Sequence, residues 1–353
     1  MKQTKKITAL ALAAFLLASA AAGCNNGKAA SSGSVASAAP SSASVVSEQP
    51  SSAPTEKATI KLAALKGPTG LGMLKLMSDN DAKTAANNYE ISLVGSPDEI
   101  VSKISTGEID VAAVPTNLAA TLYNKTNGNV QLAAINTLGV LSLLTDGEKI
   151  TSVKDLKGKT VYASGQGSTP EYALNYILKQ NGLEVGKDVK VQYVTEHAEL
   201  ATLMISGKVT TAVLPEPFVT QVMVKNKDVK IALNITEEWN KVAGDKSVLT
   251  MGCLIVRKDF AEKNKAAFNA FLDEYKASTE YTNTDVKQAA GLSEKYGIMP
   301  AAIAQKAIPN SNIVYIDGAE MKAKIPEFLN VLFQANPKSV GGKMPGDDFY
   351  YAK

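Results

Sequence analysis

Hydrolysis by a nucleophile needs a reactive side chain with a base beside it, and this chain has few groups able to play either part. His197 is its one histidine. No Gly-x-Ser-x-Gly turn exposes a serine, and no Gly-rich turn followed by lysine cradles a phosphate. Two cysteines, Cys24 and Cys253, cannot build a cysteine/histidine metal cluster with one histidine. A lone histidine at a strand-to-helix turn reads as a solvated loop residue. Cys253 sits in the apolar run 251–256 and reads as a buried thiol. No metal site and no cofactor are expected, and the chain is not expected to be an enzyme.

The turns carry more information. In parallel α/β sheets, ligands bind at the carboxyl ends of strands, where helix N-termini expose unpaired N–H groups. The turns here are Gly67-Pro-Thr69, Gly95-Ser-Pro97, Pro115-Thr-Asn117, Gly165-Gln-Gly-Ser-Thr169, Thr195-Glu196 and Pro215-Glu-Pro217. They nominate Thr69, Ser96, Thr116, Asn117, Gln166, Ser168 and Thr169 as ligand contacts. The same residue types serve ordinary turns and caps. Their recurrence at corresponding places argues for construction around one cleft.

Glu216 is held between two prolines. Either its carboxylate accepts hydrogen bonds from a ligand, or it caps the following helix. Trp239, the only tryptophan, is either a core filler or a plate on which a ligand stacks. Arg257 is the only arginine, and it lies away from these turns. A carboxylate held by an arginine fork is therefore not expected. Together these residues favour a small polar ligand, aromatic or nitrogen-rich, over an oxyanion.

The elements that must position these turns repeat. Gly107-Glu-Ile-Asp-Val-Ala-Ala-Val-Pro115 is matched 100 residues later by Gly207-Lys-Val-Thr-Thr-Ala-Val-Leu-Pro215. Upstream, Gly67, Thr69, Leu74 and Val94 match Gly167, Thr169, Leu174 and Val194. A period this long exceeds that of solenoids and implies two similar α/β halves. Strands are expected at 59–65, 89–94 and 109–114, alternating with helices at 71–77, 98–105 and 117–123. The second half repeats the order, with strands at 159–163, 190–194 and 209–214 and helices at 171–179, 198–205 and 217–224. Crossings near residues 144 and 249 would divide the chain into one lobe of 58–144 plus 249–353 and an inserted lobe of 145–248. After the return run 249–256, only helices are expected, with Phe268, Phe271, Leu272 and Tyr275 on one apolar face.

Residues 1–23 have the layout of a secretory signal: Lys2, Lys5 and Lys6, then an uncharged Ala/Leu-rich run too short for a membrane span. Small residues directly before Cys24 resemble the lipobox of bacterial lipoproteins, in which that cysteine carries the lipid, palmitate included. Residue –3 is Ala21 where leucine is usual. Residues 24–57 read as the lipidated cysteine and a Ser/Ala/Pro tether of roughly 30 Å average span. Removing three signal lysines from 37 basic residues leaves them equal to the 34 acidic ones. Nothing in this balance favours nucleic acid, which would need a basic face.

The Gly67-Pro-Thr-Gly70 opening, Gly107-Glu-Ile-Asp-Val-Ala112, Asp155-Leu-Lys-Gly-Lys-Thr160 and Glu216-Pro-Phe218 resemble substrate-binding proteins of ABC importers. The nearest group in this resemblance is the nitrate/sulfonate/taurine type, which includes binders of pyrimidine precursors. The likeness covers about residues 58–335. It implies an α/β, two-lobed periplasmic-binding-protein-like fold of type II, with two crossover strands and a ligand cleft between the lobes. It places residues 67–69, 96–97, 116–117, 166–169 and 216 at that cleft. It also implies a monomer on the extracytoplasmic face of a bacterial membrane, held by lipid alone and partnered by a permease and its ATPase. A sensing or adhesion lipoprotein could use the same fold. The related pyrimidine-precursor synthase needs a cysteine-rich iron motif and a histidine it consumes, and this chain lacks the cysteines.

Overall fold

Val111–Pro115 and Thr211–Pro215 are buried at every position. Strands covered on both faces read as continuous apolar runs, so these two segments mark the middles of two sheets. The computed structural model describes residues 57–244 and 247–353. The expected signal, Cys24 and nearly all of the expected tether lie outside the described residues. Lys57, the last tether residue, is pinned: its Nζ donates to the carbonyls of Lys83 (3.1 Å) and Ala85 (2.6 Å).

The strands are β1 (Thr59–Leu65), β2 (Asn88–Val94), β3 (Val111–Pro115), β4 (Val130–Leu138), β5 (Leu141–Asp146), β6 (Thr160–Ser164), β7 (Lys190–Val194), β8 (Thr211–Pro215), β9 (Val229–Asn234), β10 (Thr250–Arg257) and β11 (Ile313–Ile316). One sheet runs β2-β1-β3-β10-β4-β11 and the other β7-β6-β8-β5-β9. Each is built alike. A central strand, β1 or β6, pairs in parallel with two neighbours. A strand from the other half of the chain order then joins antiparallel: β10 beside β3, and β5 beside β8. The protein is thus a two-lobed α/β fold in which two strands are exchanged by crossover.

Three expectations change. The first crossing lies at Gly139-Val140 and not at residue 144, because Leu141 already pairs with Pro215 in the second sheet. No strand is expected between 224 and 249, yet β9 pairs along β5. After the return, β11 interrupts the helices by pairing with the outer edge of β4. Both missed strands are short edge segments, which form because a partner edge is free.

The described helices cover three apolar cores. Phe268, Phe271, Leu272 and Tyr275 lie in one beside β1 and β10. A smaller core joins helices His197–Ile205 and Phe218–Lys225 to β8. The third is shared by both lobes. In it Ile325, Phe328 and Leu329 of helix Gly318–Ala335 meet Leu174 and Ile177 of helix Thr169–Gln180. Asp155, in the Asp-Leu-Lys-Gly-Lys segment, accepts from Thr151 N (2.8 Å) and Ser152 N (2.9 Å). These bonds hold its carboxyl below the usual range and fix the entry to β6. Among the described residues, no helix is long and apolar enough to cross a membrane.

Candidate functional site

Where the strand ends of the two sheets face each other, a tight cavity lies between the lobes. The first lobe contributes Gly67, Pro68, Thr69, Pro97 and Pro115, and the second contributes Ser168, Pro170, His197 and Pro215. Thr137 and the β10 residues Met251 and Gly252 also line it, while exposed Lys66 joins the lining. Gly252 has a steric reason: a Cβ there would stand 2.5 Å from Asn136 Oδ1 and 3.0 Å from Thr69 Cγ2. A more polar cavity of about 290 Å³ shares Pro97 and is bordered by Ser96, Asp98, residues 165–167 and residues 193–195.

Of the residues nominated from sequence, Thr69 and Ser168 line the tight cavity, and Ser96 and Gln166 line its neighbour. The Thr69 hydroxyl donates to Leu65 O (3.1 Å), and the Ser168 hydroxyl to Gly165 O (2.5 Å).

Thr116, Asn117 and Thr169 line neither cavity; they are fully buried. Asn117 and Thr169 instead form a bracket between lobes. Thr169 Oγ1 donates to Asn117 Oδ1 (3.1 Å), while Asn117 Nδ2 donates to Gly167 O (3.2 Å) and Ser339 O (3.0 Å). Thr116 follows the lining Pro115, its hydroxyl beside the Cys253 thiol. That thiol is buried, and burial pushes it up from its ordinary range, as a structural cysteine requires.

Glu216 is 7 % exposed and turns toward the helix that follows it. It accepts from Thr220 N (3.1 Å) and Thr220 Oγ1 (3.0 Å). Burial raises its carboxyl above the usual range, and the two bonds from Thr220 oppose that rise. This is the capping arrangement. Trp239 is 0 % exposed. It packs on Tyr176 (5.1 Å between centroids) and Phe328 (5.8 Å), and its indole N–H donates to Ser247 O at 3.1 Å. It is a core filler at the seam of the lobes, and the stacking-plate reading is set aside. Arg257 pairs with Asp110 at 3.2 Å, outside the cavity.

His197 is the residue that sequence reasoning missed. It is half-buried and not a fully solvated loop residue: it opens a helix, borders the cavity and lies 5.6 Å from the Phe218 ring. Its Nδ1 is 2.6 Å from Ser164 Oγ. Burial pushes its imidazole down to about 4, so it is neutral at physiological pH. The 100-residue repeat carried a signal for it, since His197 stands opposite Pro97, the residue after Ser96. Among the described residues, no group of histidine, cysteine, aspartate and glutamate could hold a metal ion.

The NMT1-like family model matches residues 78–294. No curated protein matches the chain. An ABC transporter structure from Parabacteroides distasonis is 24 % identical, with a TM-score of 0.69 over 84 % of this chain and 100 % of that one. The periplasmic aliphatic sulphonate binding protein SsuA from Escherichia coli is 17 % identical, with a TM-score of 0.65 over 83 % and 92 %. The periplasmic nitrate-binding protein NrtA from Synechocystis PCC 6803 is 17 % identical, with a TM-score of 0.58 over 75 % and 75 %. At these identities the likeness establishes the two-lobed fold.

Proposed function

The chain belongs to the NMT1-like family, and from that premise we propose that it is the solute-binding component of an ABC importer. It captures a small polar organic molecule between its lobes and presents it to a permease driven by an ATPase. One observation carries this reading: the cavity is walled by equivalent turns of both lobes, Pro97 opposite His197 and Pro115 opposite Pro215. A ligand there touches two bodies at once, so its binding energy favours their approach.

Release of a ligand enclosed between the lobes is by their parting. The two crossings, at Gly139-Val140 and before Thr250, are where the chain would bend. The ligand leaves unchanged. The one serine–histidine pair has its serine 2 % exposed and outside the lining, so it orients the ring and cannot attack a solute. The chain acts as a monomer on the extracytoplasmic face, tethered through lipidated Cys24.

Thermal-shift screening of the purified chain against small polar solutes, followed by small-angle scattering with the best hit, tests this reading. Saturable stabilisation, a smaller radius of gyration and recovery of the solute intact are expected. Conversion of the solute to a product would overturn it. Membrane fractionation of Cys24→Ala tests the anchor, and the variant is expected to be released.

A further inference from the structure

Resting on the solute-binding reading, we infer that the cavity selects an uncharged molecule presenting a hydrogen-bond acceptor to His197 Nε2–H and donors to the surrounding hydroxyl oxygens, and that it discriminates against oxyanions.

The tautomer of His197 follows from Ser164. Among the described residues, the hydrogen-bond partner of that serine's hydroxyl is His197 Nδ1. Were the proton on Nδ1, the buried serine hydrogen would have no acceptor. Donation from Ser164 to Nδ1 satisfies both groups and leaves the proton on Nε2. Nε2 has no partner among the described residues, and the ring borders the cavity. It is a donor waiting for an acceptor.

The hydroxyls have the opposite character. Thr69 donates to Leu65 O, Ser168 to Gly165 O, and Thr137 to Asn136 Oδ1 at 3.1 Å. Asn136 is itself oriented by donating Nδ2 to Tyr275 OH at 3.2 Å. With their hydrogens engaged, the three hydroxyls offer only lone pairs. An oxyanion, which only accepts, would face three acceptors. Re-aiming those hydroxyls would cost their bonds to Leu65 O, Gly165 O and Asn136 Oδ1.

The helix starts point the same way. Anions bind helix N-termini through free N–H groups. Here proline occupies the first or second position of helices Pro68–Leu71, Pro97–Thr106 and Thr169–Gln180. Proline has no N–H. Pro115 and Pro215 line the cavity as well. One backbone donor is therefore missing at each of five places in the lining. Lys66, the one cation in the lining, is exposed and stays hydrated.

Calorimetric titration of the full chain in mild detergent, with uracil, imidazolidin-2-one, nitrate and methanesulfonate as probes, tests the inference. At least one uncharged probe is expected to bind one-to-one, about 10-fold or more tighter than either anion. His197→Phe keeps an aromatic ring but removes the donor; it is expected to weaken the uncharged probe roughly 3- to 10-fold, with His197→Gln restoring part of the loss. Should His197→Phe fail to fold, Ser168→Ala removes one acceptor oxygen and is expected to weaken the same probe by a few-fold. Unchanged affinity in the folded variants, or no binding of either uncharged probe at 10 mM, overturns the inference. Tighter binding of nitrate or methanesulfonate, lost in Lys66→Gln, overturns it too but leaves the solute-binding reading standing. Chemical conversion of a bound probe would instead sink that reading.

Discussion

Pro97 and His197 stand at the same place in two repeats, each opening a helix and each lining the cavity. One removes a backbone donor and the other adds a side-chain donor. The contrast recurs. Thr69 borders the cavity, whereas its equivalent Thr169 is buried in the bracket with Asn117. Thr116 is followed by an asparagine that ties the lobes, whereas Glu216 is followed by a proline and bonds only to its own helix. The two halves share strand order and turn position, yet they divide the labour. The first lobe supplies a proline-rich wall, Pro68, Pro97 and Pro115, and the second supplies the one imidazole. A duplicated backbone frame therefore constrains where a site lies more than what it binds.

The largest effect is expected from an element with no equivalent in the first half. Helix Ile235–Ala243 carries Trp239, which is sealed between Tyr176 and Phe328. Trp239→Ala should lower unfolding stability by about 3–5 kcal/mol in denaturant titration. A normal stability with lost affinity would restore the stacking plate and make the second lobe doubly responsible for recognition.

The pH dependence of stability separates His197 from its proline counterpart. The folded imidazole titrates at about 4, below its ordinary 6.5. As pH falls from 6.5 to 4, the unfolded chain takes up a proton that the folded chain refuses. Stability should therefore fall across that window, by up to about 3 kcal/mol, and level off below it. Glu216 has the opposite sign. Its folded value is raised from 4.5, so its contribution declines as pH rises upward from 4.5. Melting curves of His197→Phe should lose the falling limb. Persistence of the full limb would place the titrating group elsewhere.

Asn117→Ala removes donors to Gly167 O and Ser339 O and the acceptor for Thr169. About 1–3 kcal/mol of stability should be lost, since buried partners are left unsatisfied. Thr169→Val should show much of the same loss, and the double variant less than the sum. Full additivity would mean that the bracket is not one unit. The smallest effect belongs to Glu216→Ala, expected to change stability by less than about 1 kcal/mol: a cap is lost, but a buried carboxylate is relieved. Affinity for any solute should hold. A loss of about 10-fold or more would return Glu216 to the ligand and erase its contrast with Thr116.

Much of the frame was legible in the chain because it rests on local patterns. Apolar runs of strand length marked β1, β2 and β6–β8, Gly107 and Gly207 marked equivalent helix ends, and the 100-residue offset marked two halves. Edge strands β9 and β11 were not legible, since a short half-exposed run becomes a strand only where a neighbouring edge is open. Thr69, Ser96, Gln166 and Ser168 were found as cavity residues because turn position alone carries them there.

Direction and burial were decided elsewhere. Whether Glu216 faced solute or helix depended on which way the turn at Pro215–Pro217 pointed its carboxylate. Trp239 became core because helix Gly318–Ala335, from the far end of the chain, arrived to cover it. A lone His197 at a strand-to-helix turn reads from sequence as a solvated loop residue, yet folding placed Ser164 against one nitrogen and the cavity against the ring. Element type, repeat and turn chemistry are short-range properties, set by periodicity and backbone preference. Tautomer, charge state and partner are set by dielectric and distance, which exist only once segments remote in sequence have packed together.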